Sequence, residues 1–352
     1  MELRQALICT ILHEFNGERS IYGALHLLKG KKSAQTIQDG AFFNLLPYFG
    51  LFPTLTRQEL EKEVDILIQT GQAVVGETDK VSLTKHGILE LQQFHEKHRF
   101  LKDLQAWKYN ASTEIVWLRI RLFIQTITNV AAGIKGFYPI THHTDIQTWV
   151  KQQLVLETDR TNKLAQISKQ LTEFLSECTE VQALIFVHQL SGVKQIGLTR
   201  QQLSEHLKLS LEEVRIYHIA TLHRLFAKLE EEPISFSDLI FFMEGQRQEL
   251  ILTESARQTF TLLKEGHTIG SICEKRKLKK STVEDHIVEL AIQHPQFSIR
   301  PFVTTEMEEE IMYWANTLHT SRLREIKEKV TNEISYFMIR LVLARKKVKN
   351  ET

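Results

Sequence analysis

Cysteine, proline, long apolar runs and an excess of either charge are what this sequence has least of. The three cysteines, Cys9, Cys178 and Cys273, are odd in number and far apart. This excludes a disulfide framework and a paired CxxC zinc site, and it predicts a reducing, cytoplasmic setting. Six prolines and 15 glycines in 352 residues are too few for a strand-rich, turn-rich fold and predict long helices. No run of 18 apolar residues occurs, so no membrane span is predicted. The apolar stretch in MELRQALICTILHEF is flanked by Glu2 and Glu14, which argues against a signal peptide. Lys and Arg number 44 against 43 Asp and Glu, a net charge of +1; any basic surface must therefore be local.

What is present is ordinary for a globular chain: 42% hydrophobic and 25% charged residues, with length for two or three domains. The expected fold class is mainly α, with an N-terminal winged helix over 1–95, a central helical bundle over 96–195 serving as scaffold or partner surface, a helix-turn-helix-like unit over 196–250, and a C-terminal helix-turn-helix domain over 251–352.

The stretch GERSIYGALHLLKGKKS, Gly17 to Ser33, ends like a nucleotide-binding loop. A P-loop needs G-x-x-x-x-G-K-[ST], so that backbone amides wrap phosphates and a hydroxyl reaches the metal. Leu25 stands in place of the first Gly and Lys32 in place of the hydroxyl residue, so the motif fails.

Residues 1–95 read as helix, helix, loop, helix, hairpin, helix. Leu7, Ile8, Ile11 and Leu12 form one apolar stripe, and Ala24, Leu25, Leu27 and Leu28 another. Thr56 is placed to cap the third helix with Glu59 as its capping-box partner and Gly71 as its stop. QAVVGETDKVSLT then reads as two short strands about a polar turn. Helices followed by a hairpin describe a winged helix. Lys29, Lys31 and Lys32 at the end of its second helix, and Lys80 at the hairpin tip, are candidate phosphate contacts. The alternative for the first three is a solvated helix end whose cations oppose the dipole.

Two helix-turn-helix outlines follow. In the first, Thr199 caps a helix bearing Leu203 and Leu207, and a turn at Leu209 and Ser210 leads into a longer helix. Glu205, Glu212 and Glu213 crowd this turn, which favours a structural role. The second is sharper: Thr268 caps a helix with Ile269, Ile272 and Cys273, Leu278 plugs the turn, and Ser281 opens a helix whose Val283, Ile287 and Leu290 face inward. That spacing predicts Ser281, Thr282, Asp285, His286 and Glu289 on the outward, base-reading side. Lys275, Arg276, Lys277, Lys279 and Lys280 make the bend locally basic, as phosphate contacts require. DNA-contact candidates here are these five cations with Ser281, Thr282 and His286. A last helix, turn and helix ends in Arg345, Lys346, Lys347 and Lys349, preceded by the acidic run Glu306 to Glu310, read as a solvated helix start.

ILHEFNGERSIYGALHLLKGKKSAQTIQDG, FNLLPYFGL, the Thr56 helix and VSLTKHG together resemble the winged-helix accessory domain of RecQ-family DNA helicases, the RQC domain, over most of residues 5–90. LLKEGHTIGSICEKRKLKKSTVEDHIVEL and ISYFMIRLVLA resemble the helix-turn-helix appendix of bacterial RecQ-type helicases. The whole resembles the non-motor tail of such a helicase, as in the free-standing YpbB-type proteins of Gram-positive bacteria, which are encoded beside a short RecQ-like helicase. The resemblance implies a DNA-binding accessory subunit acting in repair or recombination, with forked or junction DNA and a RecQ-like helicase as partners and a nucleoid-associated cytoplasmic location. There are two departures. Cys9 is alone in the first 177 residues, so the family's four-Cys zinc site is missing. The hairpin tip, Glu77 to Lys80, lacks the strand-separating aromatic of several RQC domains.

Fifteen histidines include the pairs His95 with His98 and His142 with His143, but no HExxH or cysteine partner accompanies them. No catalytic triad or nucleophile elbow appears. No metal, cofactor or enzymatic activity of its own is expected. Two other functions fit the same motifs: a transcription regulator reading bases with the helix from Ser281, and a protein-interaction scaffold.

Overall fold

The computed structural model describes residues 1–76, 80–134, 136–246, 252–294, 296–318 and 320–346. The expected mainly α class is observed, with seventeen α-helices and one two-stranded sheet among the described residues. In chain order come α1 (Leu3–Phe15), α2 (Ile21–Lys29), α3 (Ala34–Phe42), α4 (Arg57–Gln69), β1 (Ala73–Val75), β2 (Val81–Leu83) and α5 (Lys85–Lys97). Next are α6 (Ala106–Ala131), α7 (Thr144–Leu156), α8 (Arg160–Ser176), α9 (Glu180–His188), α10 (Arg200–Leu207) and α11 (Leu211–Glu231). The last are α12 (Glu254–Lys264), α13 (Ile269–Arg276), α14 (Lys280–Gln293), α15 (Thr305–Thr317), α16 (Leu323–Lys327) and α17 (Tyr336–Lys346).

Local chemistry places most of these ends. Glu59 N donates to Thr56 Oγ1 at 3.2 Å and Thr56 N donates to Glu59 Oε2 at 2.8 Å, the reciprocal capping box that starts α4. Gly71, at φ +73°, stops the chain after α4 in a left-handed conformation that suits glycine. β1 and β2 pair antiparallel, Ala73 opposite Leu83 and Val75 opposite Val81. Where the sequence predicts a loop before α4, the chain forms α3. Its buried face includes Thr36, Gln38 and Asp39, so no apolar 3.6-residue pattern announces it. Asp39 is held by Arg19 Nε at 2.9 Å and by Gln35 at the same distance, which makes a buried carboxylate tolerable.

The chain divides into two compact units, residues 1–92 with 249–352, and residues 93–248. In the second, α6 packs on α7, α8 and α11, and α11 also packs on α9, α10 and the 3-10 turn Arg99–Asp103. Trp117, Phe123, Phe174, Phe186, Phe226, Phe236 and Phe242 fill its core, each contributing on the order of 2 to 3 kcal/mol by burial. In the first unit α14 is the central element: α12, α13, α17 and α3 all pack on it. The two ends of the chain thus share one core, while α1, α2, α4 and the hairpin pack together beside α3.

Each unit contains a helix-turn-helix of the same local design. Lys208 after α10 and Lys277 after α13 adopt left-handed conformations, φ 56° and 54°. In each turn the following leucine amide reaches back five residues, Leu209 N to Ser204 O at 3.1 Å and Leu278 N to Cys273 O at 3.0 Å. These are the terminal bonds of a Schellman-type stop. Thr199 and Thr268 cap the two first helices as expected.

Candidate nucleic-acid interface

The α13 to α14 turn is locally basic, with Lys275, Arg276, Lys277, Lys279 and Lys280 close together in sequence. Lys275, Lys277, Lys279 and Lys280 are exposed. Lys275 Nζ lies 3.0 Å from His267 Nε2. Lys280 reaches Glu284 only at 3.8 Å, with 76% of its side chain in solvent, a geometry of little energetic weight. Lys279 is the N-cap of α14 and supplies no side-chain cap, so the helix opens toward solvent among lysines. Ser281 is exposed and Thr282 half-buried at the same end.

Arg276 departs from its neighbours. Its guanidinium turns back onto α12, donating to Ser255 O at 2.7 Å, to Ser255 Oγ and Gln258 Oε1 at 3.0 Å, and to Thr259 Oγ1. A planar, five-donor fork suits this multiple clamp. Arg276 therefore ties α13 to α12.

The outward orientation predicted for the middle of α14 is corrected by the structure. His286 is only 7% exposed and Glu289 4%. His286 Nδ1 pairs with Thr259 Oγ1 at 2.8 Å, and burial, then the Arg276 charge, holds this imidazole below its usual pKa. Glu289 accepts from Thr253 N and, at 3.0 Å, from Thr253 Oγ1, so it fastens the start of α12. Burial raises its pKa against those bonds and the nearby Lys32 charge. Asp285 accepts from Arg340 of α17 and, at 3.3 Å, from Gln38 of α3. The pattern of α14 alone leaves room for an exposed face, but three neighbouring helices cover it.

At the other end of the chain, Lys31 and Lys32 are exposed in the turn between α2 and α3. Gly30 before them has φ +73°, and a Cβ there would stand 3.0 Å from Gly50 Cα, so both conformation and space demand glycine. Lys29 is exposed, and its Nζ donates to Leu55 O at 3.1 Å. Lys80 is half-buried. The hairpin tip residues Glu77 to Asp79 lie outside the described residues, as do Lys347 and Lys349 of the C-terminal cluster. α4, which precedes the hairpin, carries Glu59, Glu61, Glu63 and Asp65 against Arg57 and Lys62, an acidic balance that does not suit phosphate. The acidic run at the start of α15 is partly structural: Glu310 accepts from Thr331 N at 2.8 Å.

The α2 to α3 turn that carries Lys31 and Lys32 is drawn toward α14 because α3 docks on that helix through Gln38 and Asp285. These partners are 247 residues apart, and no local pattern marks such a pair. The histidine pairs behave as packing groups where bonds are seen: His98 stacks on Phe94 at 4.0 Å and its Nδ1 pairs with Phe94 O at 2.9 Å.

Comparison with known proteins agrees with this geometry. Residues 255–343, from α12 into α17, match the family of helix-turn-helix domains, an architecture that points to DNA as ligand. The chain is 31% identical over 341 residues to protein YpbB of Bacillus subtilis (strain 168), an alignment spanning 96% of each chain. No solved structure matches. With near-complete coverage and the helix-turn-helix geometry in place, the chain belongs to the YpbB family.

Proposed function

We propose that this protein is a DNA-binding accessory subunit of a RecQ-like helicase, supplying in trans the domains that place the motor on forked or junction DNA during repair or recombination. The observation that carries the DNA part is the exposed lysine group Lys275, Lys277, Lys279 and Lys280 on the bend of a recognised helix-turn-helix domain. Four cations with so little internal pairing on one turn exceed what solubility needs and suit phosphate oxygens. The helicase part is supported by the resemblance of residues 5–90 and 250–345 to RecQ accessory regions. The failed P-loop at Gly17 to Ser33 agrees with ATP hydrolysis by a partner. The covered middle of α14 weighs against a transcription regulator, which needs those positions free to reach base edges.

The test is twofold. Affinity for forked DNA should fall by about three orders of magnitude between roughly 50 and 200 mM salt if about six phosphates are contacted; a flat response refutes phosphate binding. A pull-down from cells should return a RecQ-like ATPase as the main partner. Recovery of RNA polymerase, with sharp genomic footprints, would favour regulation instead.

A further inference from the structure

Resting on the DNA-binding reading above, we propose that the nucleic-acid surface is composite and reads no sequence. Lys31 and Lys32 of the α2 to α3 turn join Lys275, Lys277, Lys279 and Lys280 of the α13 to α14 turn in gripping one phosphate backbone. Of the α14 positions that would read bases, Asp285 lies in the internal seam that brings the two turns together, and His286 and Glu289 are held by α12.

The seam is built from both chain ends. Asp285 is shared by Gln38 of α3 and Arg340 of α17. A second fastening joins the loop after α1 to the segment before α16: Thr320 Oγ1 donates to Glu18 Oε1 at 3.2 Å, and Arg322 Nε lies 3.9 Å from Glu18 Oε2. Lys32 sits close enough to Glu289 for its charge to oppose the burial of that carboxylate. Lys280 and Glu289 are nine residues apart on α14, about 13 Å along the helix axis at the α-helical rise. Through the Gln38 to Asp285 bond the α2 to α3 turn is thus brought toward the same helix whose start carries Lys279 and Lys280. Asp285, His286 and Glu289, which would reach base edges from a groove-bound helix, are all engaged inside the unit, leaving Ser281 and Thr282 at the helix start. Two basic turns on a covered helix position a duplex without discriminating its bases.

Fluorescence anisotropy on the full chain, with a panel of unrelated duplexes of equal length and a salt series, tests this. Lys31→Glu with Lys32→Glu, and separately Lys279→Glu with Lys280→Glu, should each reduce the slope of log affinity against log salt by about two. Each pair should weaken every duplex by the same factor, with melting temperature unchanged. The milder Lys31→Gln with Lys32→Gln should show the same slope change without added repulsion. If only the Lys279 and Lys280 pair matters, the composite surface is wrong while DNA binding stands. If the wild-type protein prefers one duplex strongly and Thr282→Ala removes that preference, the absence of base reading is wrong. If the wild type binds no duplex at any salt, the DNA-binding reading itself falls, and this inference with it.

Discussion

Acidification should unfold residues 93–248 through two buried histidines, and the effect can be worked from their surroundings. His218 and His223 on α11 are 1% and 0% exposed. Gln105 N donates to His223 Nδ1 at 3.0 Å, so the ring accepts there and carries its proton on Nε2, which lies 3.3 Å from Thr113 Oγ1. A second proton would face the Gln105 amide donor head-on. His218 Nδ1 lies 3.2 Å from Gln189 Nε2, itself donating to Ile185 O at 2.7 Å. His218 Nε2 has no hydrogen-bond partner among the described residues. Burial, aided for His218 by nearby cations, lowers both pKa values from 6.5 to about 3. The unfolded chain therefore binds more protons between these limits. The stability contribution is complete above about pH 6.5 and is lost as pH falls toward 3. At pH 5 the loss is about 2 kcal/mol per histidine, and up to about 4 for both, from 1.36 kcal/mol per pH unit. That is a large fraction of the roughly 5 to 15 kcal/mol of a typical domain. Urea unfolding followed by tryptophan fluorescence reports this unit well, because Trp107, Trp117 and Trp149 belong to it and Trp117 stands edge-on to His218 at 4.7 Å. A His218→Gln, His223→Gln double variant should start less stable at neutral pH yet lose much less between pH 7 and pH 5. If variant and wild type lose equal stability over that interval, the buried histidines are not the acid-sensitive groups.

Other outcomes separate structure from binding. Arg276→Ala should destabilise the first unit by roughly 2 to 3 kcal/mol through loss of its charged hydrogen bonds to α12, whereas Lys279→Ala should stay within about 0.5 kcal/mol while weakening DNA binding; equal effects of both on melting would overturn this division. Gly87→Ala places a Cβ 2.0 Å from Gln72 O, so a loss of about 3 kcal/mol or more is expected, measured as a lower melting temperature; an unchanged value would contradict the close approach of α5 to the Gln72 backbone. Asp285→Ala should loosen α3 and α17 from α14, raising hydrogen exchange in both helices, and unchanged protection would show that the seam does not depend on that carboxylate.

Much of the fold was legible because its signals are short-ranged. The Thr56, Thr199 and Thr268 caps, the Gly71 stop, the Leu278 plug and the hairpin all depend on residues a few positions apart. The candidate site was legible as charge: Lys275, Lys277, Lys279 and Lys280 are on the surface where a basic bend predicts them. Arg276 was not separable from them in the sequence, since its inward turn depends on Ser255, Gln258 and Thr259 of another helix. α3 escaped because its buried face is partly polar, and a buried carboxylate such as Asp39 becomes intelligible only once Arg19 is beside it.

Local sequence was enough to show that the chain is mainly helical, where most helices start and stop, and that basic residues cluster on the turns after α2 and α13 and at the end of the last helix. These follow from backbone hydrogen bonding and side-chain spacing within one or two helical turns. It is the tertiary packing that brings the two ends of the chain together on α14, with Asp285 between them, and that holds His286 and Glu289 against α12 instead of facing outward. An amphipathic pattern says which face of a helix can be buried. How much of the remaining face is also covered depends on partners hundreds of residues away, whose approach is governed by packing that no local spacing encodes.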